Sequence, residues 1–252
     1  GGVEMGLSGF PTFNSPQELG DAEAAAGIDV ALAATNHALD KGFEGIEATL
    51  RFWRERHPEM LVPGIADSNE AADRPHIVTR GRIAVAILNY TETTNGIPMP
   101  AEHPYCVKSS YRSNFAADVS RAREAGADIV IACPHWGTEY SSKISSYQEK
   151  WALEMTEAGA DVIIGTHPHV VEPVEWITAE NGNESLCYYS LGNYVSTQKN
   201  ALSMLEGMAW LTFHVAEDGV SIERKTTGVI PLVCQYTSGP VRFENVYLLE
   251  EY

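Results

Sequence analysis

The residues of this chain best suited to chemistry are histidines that follow short apolar segments. Asn36 and His37 follow one such segment, His135 follows a second, and His167 and His169 follow a third. Imidazole nitrogen and amide oxygen are both ligands for divalent metals. Four of the eight histidines of the chain lie at these positions, which is hard to attribute to chance. The pattern predicts a divalent-metal site.

A repeated pattern places each of these groups at the end of a predicted strand. Ala-Gly-x-Asp followed by an apolar run occurs three times, around Gly27, Gly126 and Gly159. Each copy is typical of a helix closed by glycine, a short turn and a buried strand. Open α/β sheets bind ligands outside the carboxyl ends of their strands, so the side chains should meet at one edge. The predicted strands span 28–34, 128–133 and 161–165.

The third copy ends in two histidines separated by a proline, His167-Pro168-His169. Residues i and i+2 of an extended segment share a face, and proline stiffens the link by fixing its own φ. We therefore expect both imidazoles to point the same way. Such a pair could bind one ion or two adjacent ions.

Other polar residues lie near these histidines. His37 is a candidate proton donor to a leaving group, and Asp40 either takes part in this chemistry or caps the helix that follows. Glu139 and Tyr140 either orient His135 or are ordinary loop residues.

The segment 189–194 ends a further predicted strand and carries Gly192 and Asn193. A glycine at this point indicates a close backbone approach. The segment is either a loop that closes over the metal site, with Asn193 beside metal or substrate, or a tight turn.

Composition limits the classes of partner. The chain has 252 residues, of which 44% are hydrophobic and 20% are charged, as in globular proteins. The formal net charge of −17 argues against nucleic acid and anionic membrane surfaces as partners. An anionic substrate would need a metal or nearby cations at the site.

The order of predicted elements indicates an α/β fold in a single domain over 1–252. An alternating αβ part covers about 1–170, and a β-rich part covers about 171–252, which suits two sheets flanked by helices. A helix over about 41–56 carries Phe43, Ile46, Leu50 and Trp53 on one face. The four cysteines allow three pairings, among which the sequence does not choose; they are Cys106, Cys133, Cys187 and Cys234.

Six segments resemble the bacterial poly-γ-glutamate capsule-synthesis family, the CapA-like or PGA_cap proteins, which is itself similar to the calcineurin-like metallophosphoesterases. The resemblance covers essentially the whole chain in the right order, and its motifs are specific in combination. The segments are SGFPTFNSP (8–16), AATNHALDKGFEGIEATL (33–50), NYTETTNGIPMP (89–100), CPHWGTEY (133–140), GADVIIGTHPHVVEPVEW (159–176) and YYSLGNYVSTQ (188–198).

This resemblance implies a four-layer α/β/β/α sandwich of metallophosphoesterase type with two divalent ions, such as Mn, Fe or Zn. By motif, Asn36, His135, His167 and His169 resemble metal ligands, and His37 resembles the proton donor. The family usually opens with a strand ending in Gly-Asp and then an Asn-Leu-Glu segment, which supply carboxylate ligands. Neither is present here, so we expect an N-terminally truncated site that holds at most one ion, weakly.

The resemblance implies a capsule-biosynthesis protein that is a metal-dependent hydrolase of a phosphoester or another anionic ester or amide. The alternative is a non-catalytic component of capsule polymer assembly or export that retains the fold. The expected partners are an anionic polymer or phosphoester substrate and capsule-synthesis membrane proteins, without nucleic acid. The expected location is the extracytoplasmic face of the bacterial membrane, with an anchor in an N-terminal segment absent from this chain.

Overall fold

The computed structural model describes residues 2–109, 114–196, 198, 200–217, 219–236 and 243–251. Its secondary structure mixes helices with parallel and antiparallel strands, which confirms the predicted α/β class. The chain divides into two compact units. The first contains Gly1–Arg80 and Ala84–Ala127, and the second contains Gly81–Ile83 and Asp128–Tyr252. The prediction of one domain over 1–252 stays a prediction.

The first unit is built mainly from helices around a small apolar core. On α2, Ile46 and Trp53 are buried, with Phe43 and Leu50 packed beside them, which confirms the predicted apolar face. The described elements are α1 (Gln17–Ala25), α2 (Gly42–Arg56), α3 (Asn69–Asp73), α4 (Phe115–Glu124), β1 (His76–Arg80) and β2 (Ile83–Thr91). The first residue of β2, Ile83, belongs to the second unit. The sequence predicts no regular structure over 60–80, and this prediction is wrong, because α3 and β1 lie within that stretch. Residues 110–113, which the sequence assigns to the start of α4, lie outside the described residues.

The predicted strand over 28–34 is wrong. The segment is extended, but it forms a single isolated bridge between Val30 and Leu61. Ala33 donates its N–H to the carbonyl oxygen of Pro63, and Pro63 has no N–H to continue a regular ladder. The chain then turns at Gly64, whose φ is 98°. The partner segment therefore cannot support a longer strand.

The second unit contains the parallel strands that carry the histidines. β3 and β4 pair in parallel, β4 and β6 pair in parallel, and β5 adds antiparallel to β6. A second sheet places β10 between β7 and β11, and β8 pairs with β9. The elements are β3 (Ile129–His135), α5 (Ser146–Ala158), β4 (Val162–Ile164), β5 (Val174–Thr178), β6 (Glu184–Tyr188), β7 (Leu205–Trp210), β8 (Phe213–Ala216), β9 (Gly219–Ile222), β10 (Gly228–Tyr236) and β11 (Phe243–Leu248). The sequence pattern also predicts a strand over about 241–249, of which residues 241 and 242 lie outside the described residues.

Glycine ends each of the three helices that precede the repeated segments. Gly27, Gly126 and Gly159 have φ values of 83°, 93° and 95°, a region that residues with a Cβ adopt only at a cost. The N–H of Gly159 donates to the carbonyl oxygen of Thr156, which closes α5. The predicted glycine-closed helix is therefore confirmed in all three copies.

The four cysteines are all buried and free, so none of the three possible pairings forms. Burial raises the pKa of the Cys133 thiol to about 12. A thiol that stays protonated is a poor nucleophile, which is consistent with an apolar packing role.

Within the described ranges, no helix has both the length and the apolar composition needed to cross a membrane.

One buried acidic side chain in the second sheet has no hydrogen-bond partner. Glu206 on β7 is 3% exposed, and neither of its carboxylate oxygens has a partner among the described residues. Because burial disfavours the charged form, the pKa of Glu206 is raised to about 8. The folded protein therefore holds a proton on Glu206 at pH values where an unfolded chain would release it.

We expect Glu206→Gln to remove part of the pH dependence of stability. Between about pH 5 and pH 8 the folded state keeps a proton that the unfolded state loses, so the free energy of unfolding falls as pH rises. The neutral glutamine has no such dependence. Denaturant titrations at pH 5 and pH 8 should show a smaller loss of stability for Glu206→Gln than for the wild type. Glu217→Gln, at an exposed turn, is the matched control, and equal slopes for all three proteins would rule out this explanation.

Candidate functional site

Three histidines of the second unit meet beyond the carboxyl ends of β3 and β4. His135 is the last residue of β3 and forms a parallel bridge with Thr166, which precedes His167. Nδ1 of His167 lies 3.1 Å from Nε2 of His135, and the ring centres of His167 and His169 are 6.2 Å apart. The parallel strand order thus brings the three imidazoles into one small region.

The backbone of this three-histidine cluster is strained. His167 has a φ of 101° and His169 a φ of 61°, both in the left-handed region that favours glycine. The prediction of an extended His-Pro-His segment is therefore wrong, because the chain turns at each histidine. Non-glycine residues in such conformations cost about 1–3 kcal/mol each and concentrate at functional sites. The strain supports a binding role for the pair.

Oxygen atoms fix the orientation of two of the imidazoles. Nδ1 of His135 is 2.9 Å from Oγ1 of Thr166, and Nδ1 of His169 is 2.8 Å from Oδ1 of Asn193. Since an amide oxygen only accepts, Nδ1 of His169 is the donor in this contact, which in a neutral ring leaves the lone pair on Nε2. Metal-binding histidines are oriented in this way by their surroundings. Thr166 escaped the sequence analysis, although its position directly before the histidine pair was a signal.

The remaining residues predicted near these histidines differ in their contacts. Tyr140 stacks on His169, with ring centres 5.6 Å apart, and its N–H donates to the carbonyl oxygen of Pro168 at 2.7 Å. Tyr140 also has a positive φ, of 63°. Glu139 is exposed, and its orienting role stays a prediction.

The segment around Gly192 packs closely against β7. A Cβ added to Gly192 would lie 3.0 Å from the carbonyl oxygen of Leu205, and the φ of Gly192 is 75°. The side-chain amide of Asn193 donates to the carbonyl oxygen of Ser203 at 3.1 Å while its oxygen accepts from His169. The turn is therefore both tight and in contact with the histidine cluster.

One pair among the three imidazoles has the spacing of two ligands of a single metal ion. Two nitrogen ligands about 2.1 Å from one ion lie roughly 3 Å apart, which matches the contact between His135 and His167. Imidazoles are neutral donors and bring no negative charge. Among the residues that the structure describes, no group of three or more His, Cys, Asp or Glu side chains is arranged to hold a metal ion. The number of bound ions and the strength of their binding therefore stay predictions.

His37 and Asp40 form a hydrogen-bonded pair in the first unit. Nδ1 of His37 donates to Oδ2 of Asp40 at 2.8 Å, and the same oxygen accepts the backbone N–H of Phe13 at 2.7 Å. The Asp40 side chain is 3% exposed, whereas that of His37 is 27% exposed. The residue before α2 is Lys41, so Asp40 does not cap that helix. Its contacts are those of a residue that orients His37, whose role as a proton donor stays a prediction.

Asn36 is buried in the first unit and contacts a residue that the sequence analysis missed. Its side-chain Nδ2 donates to Oδ1 of Asn95 at 3.2 Å. Asn95 has a φ of 54°, so it is a further non-glycine residue with a left-handed backbone. The Asn-Gly pair at 95–96 was the available signal. The role of Asn36 as a metal ligand stays a prediction.

Gly165 allows the cluster to pack against two aromatic residues. A Cβ added at Gly165 would lie 2.0 Å from the carbonyl oxygen of Tyr189 and 2.3 Å from Nε1 of Trp136. Those two atoms are joined by a hydrogen bond of 2.9 Å, in which the buried Trp136 donates. The glycine directly before Thr166 is therefore a steric requirement.

Comparisons with known proteins agree with these motifs. The model of the bacterial capsule synthesis protein family PGA_cap matches residues 1–198. The PGA biosynthesis protein CapA of Bacillus subtilis is 29% identical over 187 residues, which cover 74% of this chain and 47% of that protein. The capsule biosynthesis protein CapA of Bacillus anthracis is 29% identical over 229 residues, which cover 88% of this chain and 52% of that protein. The chain thus spans about half the length of these relatives.

A solved structure supports the fold. A candidate 5′-nucleotidase from Staphylococcus aureus superimposes with a TM-score of 0.50 at 16% sequence identity, over 91% of this chain and 45% of that one. At this identity the likeness concerns the fold alone. It confirms the predicted metallophosphoesterase-type fold.

We expect Gly165→Ala to destabilise the second unit. The added methyl group would displace Trp136 or the Tyr189 backbone, and overpacking of this kind costs about 1–3 kcal/mol. Thermal unfolding followed by circular dichroism should show a clearly lower Tm. Gly228→Ala is the control, because an added Cβ there meets nothing within 4 Å. A Gly165→Ala protein as stable as the control would contradict the steric argument.

Proposed function

The chain belongs to the bacterial capsule synthesis protein family PGA_cap, and on this basis we propose that it is a metal-dependent hydrolase of a phosphoester or another anionic ester or amide. The observation that carries the proposal is the cluster of His135, His167 and His169. Its imidazoles converge, two of them are oriented by oxygen atoms, and its backbone is strained. A role in packing alone explains none of these three features.

The proposal assigns the metal to this cluster of the second unit, and the role of Asn36 as a metal ligand stays a prediction. A divalent ion would supply an activated water and neutralise charge that develops on the substrate. The Nε2 atom of His169 is available for it, because Asn193 accepts from Nδ1. The surrounding Thr166 and Tyr140 hold the imidazoles in place.

The proposal assigns proton transfer to His37. Asp40 accepts from Nδ1, so the proton given to a leaving group would come from Nε2. Asp40 therefore helps to hold the ring of His37 in one orientation.

The family and the charge of the chain limit the substrate. The two named relatives are biosynthesis proteins of PGA or of the capsule. We propose an anionic polymer or phosphoester substrate, capsule-synthesis membrane proteins as partners, and a location at the extracytoplasmic face of the bacterial membrane. With a net charge of −17, the protein would need the metal to attract such a substrate.

A second candidate function is non-catalytic assembly or export of capsule polymer. The observation that favours it is that, among the described residues, no group of three or more His, Cys, Asp or Glu side chains is arranged to hold a metal ion. The complete protein distinguishes the two functions. If it binds two metals and hydrolyses none of the phosphoesters or amides tested, the assembly function is the better one.

We expect His37→Ala and His167→Ala to differ in metal content. In the full-length protein, loss of the proton donor should leave bound metal intact and slow hydrolysis by about 10²–10⁴. His167→Ala should lose metal and activity together, because it removes a ligand. Elemental analysis and a generic phosphodiesterase assay measure the two effects.

The leaving group provides the control for this prediction. Nitrophenolate needs little protonation, so a nitrophenyl ester should partly restore the rate of His37→Ala and not that of His167→Ala. If both variants lose metal equally, the assignment of His37 as proton donor is wrong.

We expect this chain alone to bind at most one transition-metal ion, and weakly. The three neutral imidazoles supply no negative charge, whereas a second ion and a bridge between the two need carboxylates. Titration calorimetry with Zn²⁺ or Mn²⁺ should give a stoichiometry no higher than one. Two tightly bound ions per chain would contradict this expectation.

A further inference from the structure

Asn95 lies at the tip of a rigid turn in the first unit. The N–H of Ile97 donates to the carbonyl oxygen of Thr94 at 3.0 Å, and Asn95 and Gly96 between them have φ values of 54° and 76°. Threonine side chains secure the turn. Oγ1 of Thr93 accepts from the N–H of Asn95 at 3.2 Å, and Oγ1 of Thr94 donates to the carbonyl oxygen of Ile97 at 2.7 Å. The side chain of Asn95 is thus presented from a fixed backbone.

That side chain is aimed at the predicted ligand Asn36. Oδ1 of Asn95 accepts a hydrogen bond of 3.2 Å from Nδ2 of Asn36. An amide has one donor side and one acceptor side, so holding Nδ2 towards Asn95 turns Oδ1 of Asn36 the opposite way. Oxygen is the atom of an asparagine that binds a metal. Asn36 itself is 5% exposed, which restricts its rotation further.

We propose that Asn95 is a positioning residue that fixes the side-chain amide of Asn36 with its nitrogen towards Asn95 and its oxygen, the predicted metal ligand, turned away. The metal-binding part of this inference rests on the proposed function above. The orientation of the amide does not, and it can be measured on the protein without metal.

The contact of Asn95 with His37 is secondary. Nδ2 of Asn95 lies 3.4 Å from Nδ1 of His37, whereas Oδ2 of Asp40 lies 2.8 Å from the same nitrogen. The proton on Nδ1 therefore goes to Asp40, and a second donor cannot share that nitrogen. The contribution of Asn95 acts through Asn36.

A simpler explanation is that asparagine stands here only because it tolerates a left-handed backbone. Glycine tolerates the same backbone without a side chain, so Asn95→Gly preserves the turn and removes the hydrogen bond. Aspartate keeps an acceptor oxygen at the same position, so Asn95→Asp should restore the contact with Asn36. These two variants separate a positioning role from a turn role.

The first measurement is the side-chain amide signal of Asn36 by ¹⁵N NMR, assigned with Asn36→Asp. In the wild type, and in Asn95→Asp, we expect a hydrogen-bonded amide that exchanges slowly. In Asn95→Gly the signal should shift and exchange faster, while the Tm stays close to that of the wild type. An Asn36 signal unchanged in Asn95→Gly would overturn the proposal.

The second measurement is Mn²⁺ affinity of the full-length protein by calorimetry. Loss of an orienting neighbour typically weakens metal binding by about 10–100-fold, and we expect this for Asn95→Gly with recovery in Asn95→Asp. Asn181→Gly, in another Asn-Gly turn, should leave affinity unchanged. Equal affinity of Asn95→Gly and wild type would overturn the link to the metal. If the wild type binds no Mn²⁺, the proposed function fails, and the NMR result still decides whether Asn95 orients Asn36.

Discussion

The parallel pairing of β3, β4 and β6 is the constraint on which the three-histidine cluster depends. Parallel strands end at the same edge, so residues that follow them must come together whatever their separation in sequence. His135 ends β3, His167 and His169 follow β4, and Asn193 follows β6. The hydrogen bond between His169 and Asn193 spans 24 residues of sequence and is short in space only because β4 and β6 are neighbours. Without this register the cluster would have no fixed geometry.

The packing around the same strands holds the strained backbone of the cluster in place. His167 and His169 hold left-handed conformations that an isolated peptide would rarely adopt. They persist because Gly165 admits close packing, Trp136 bonds the Tyr189 backbone, and the buried interior of β3 anchors the edge. The strained conformations of His167 and His169 lower the stability of the fold. Selection for packing alone would favour glycine or an unstrained turn there, so the strain supports a function for these two residues.

The sequence predicted the features that depend on local chemistry. The closing glycines Gly27, Gly126 and Gly159 and the apolar face of α2 follow from backbone sterics and from periodicity. Of the residues expected to meet at one edge, His135, His167 and His169 are found together, because parallel strands precede them. The predictions from sequence were wrong where residues distant in sequence determine the local conformation. Segment 28–34 is not a strand because its neighbour contains Pro63, and the His-Pro-His segment bends because tertiary contacts hold it. The burial of Glu206 and the contact of Asn95 with Asn36 both depend on residues from different elements of the fold. The spacing of residues along the sequence cannot reveal such contacts.

Histidines of the two units are oriented in the same way, although different roles are proposed for them. In each unit an oxygen atom accepts from Nδ1 of a histidine and leaves Nε2 for chemistry. For His37 that oxygen belongs to the buried carboxylate of Asp40. For His169 it belongs to the side-chain amide of Asn193. Each ring is therefore oriented through Nδ1, as metal-binding histidines are, and the roles proposed for the two rings concern the other nitrogen.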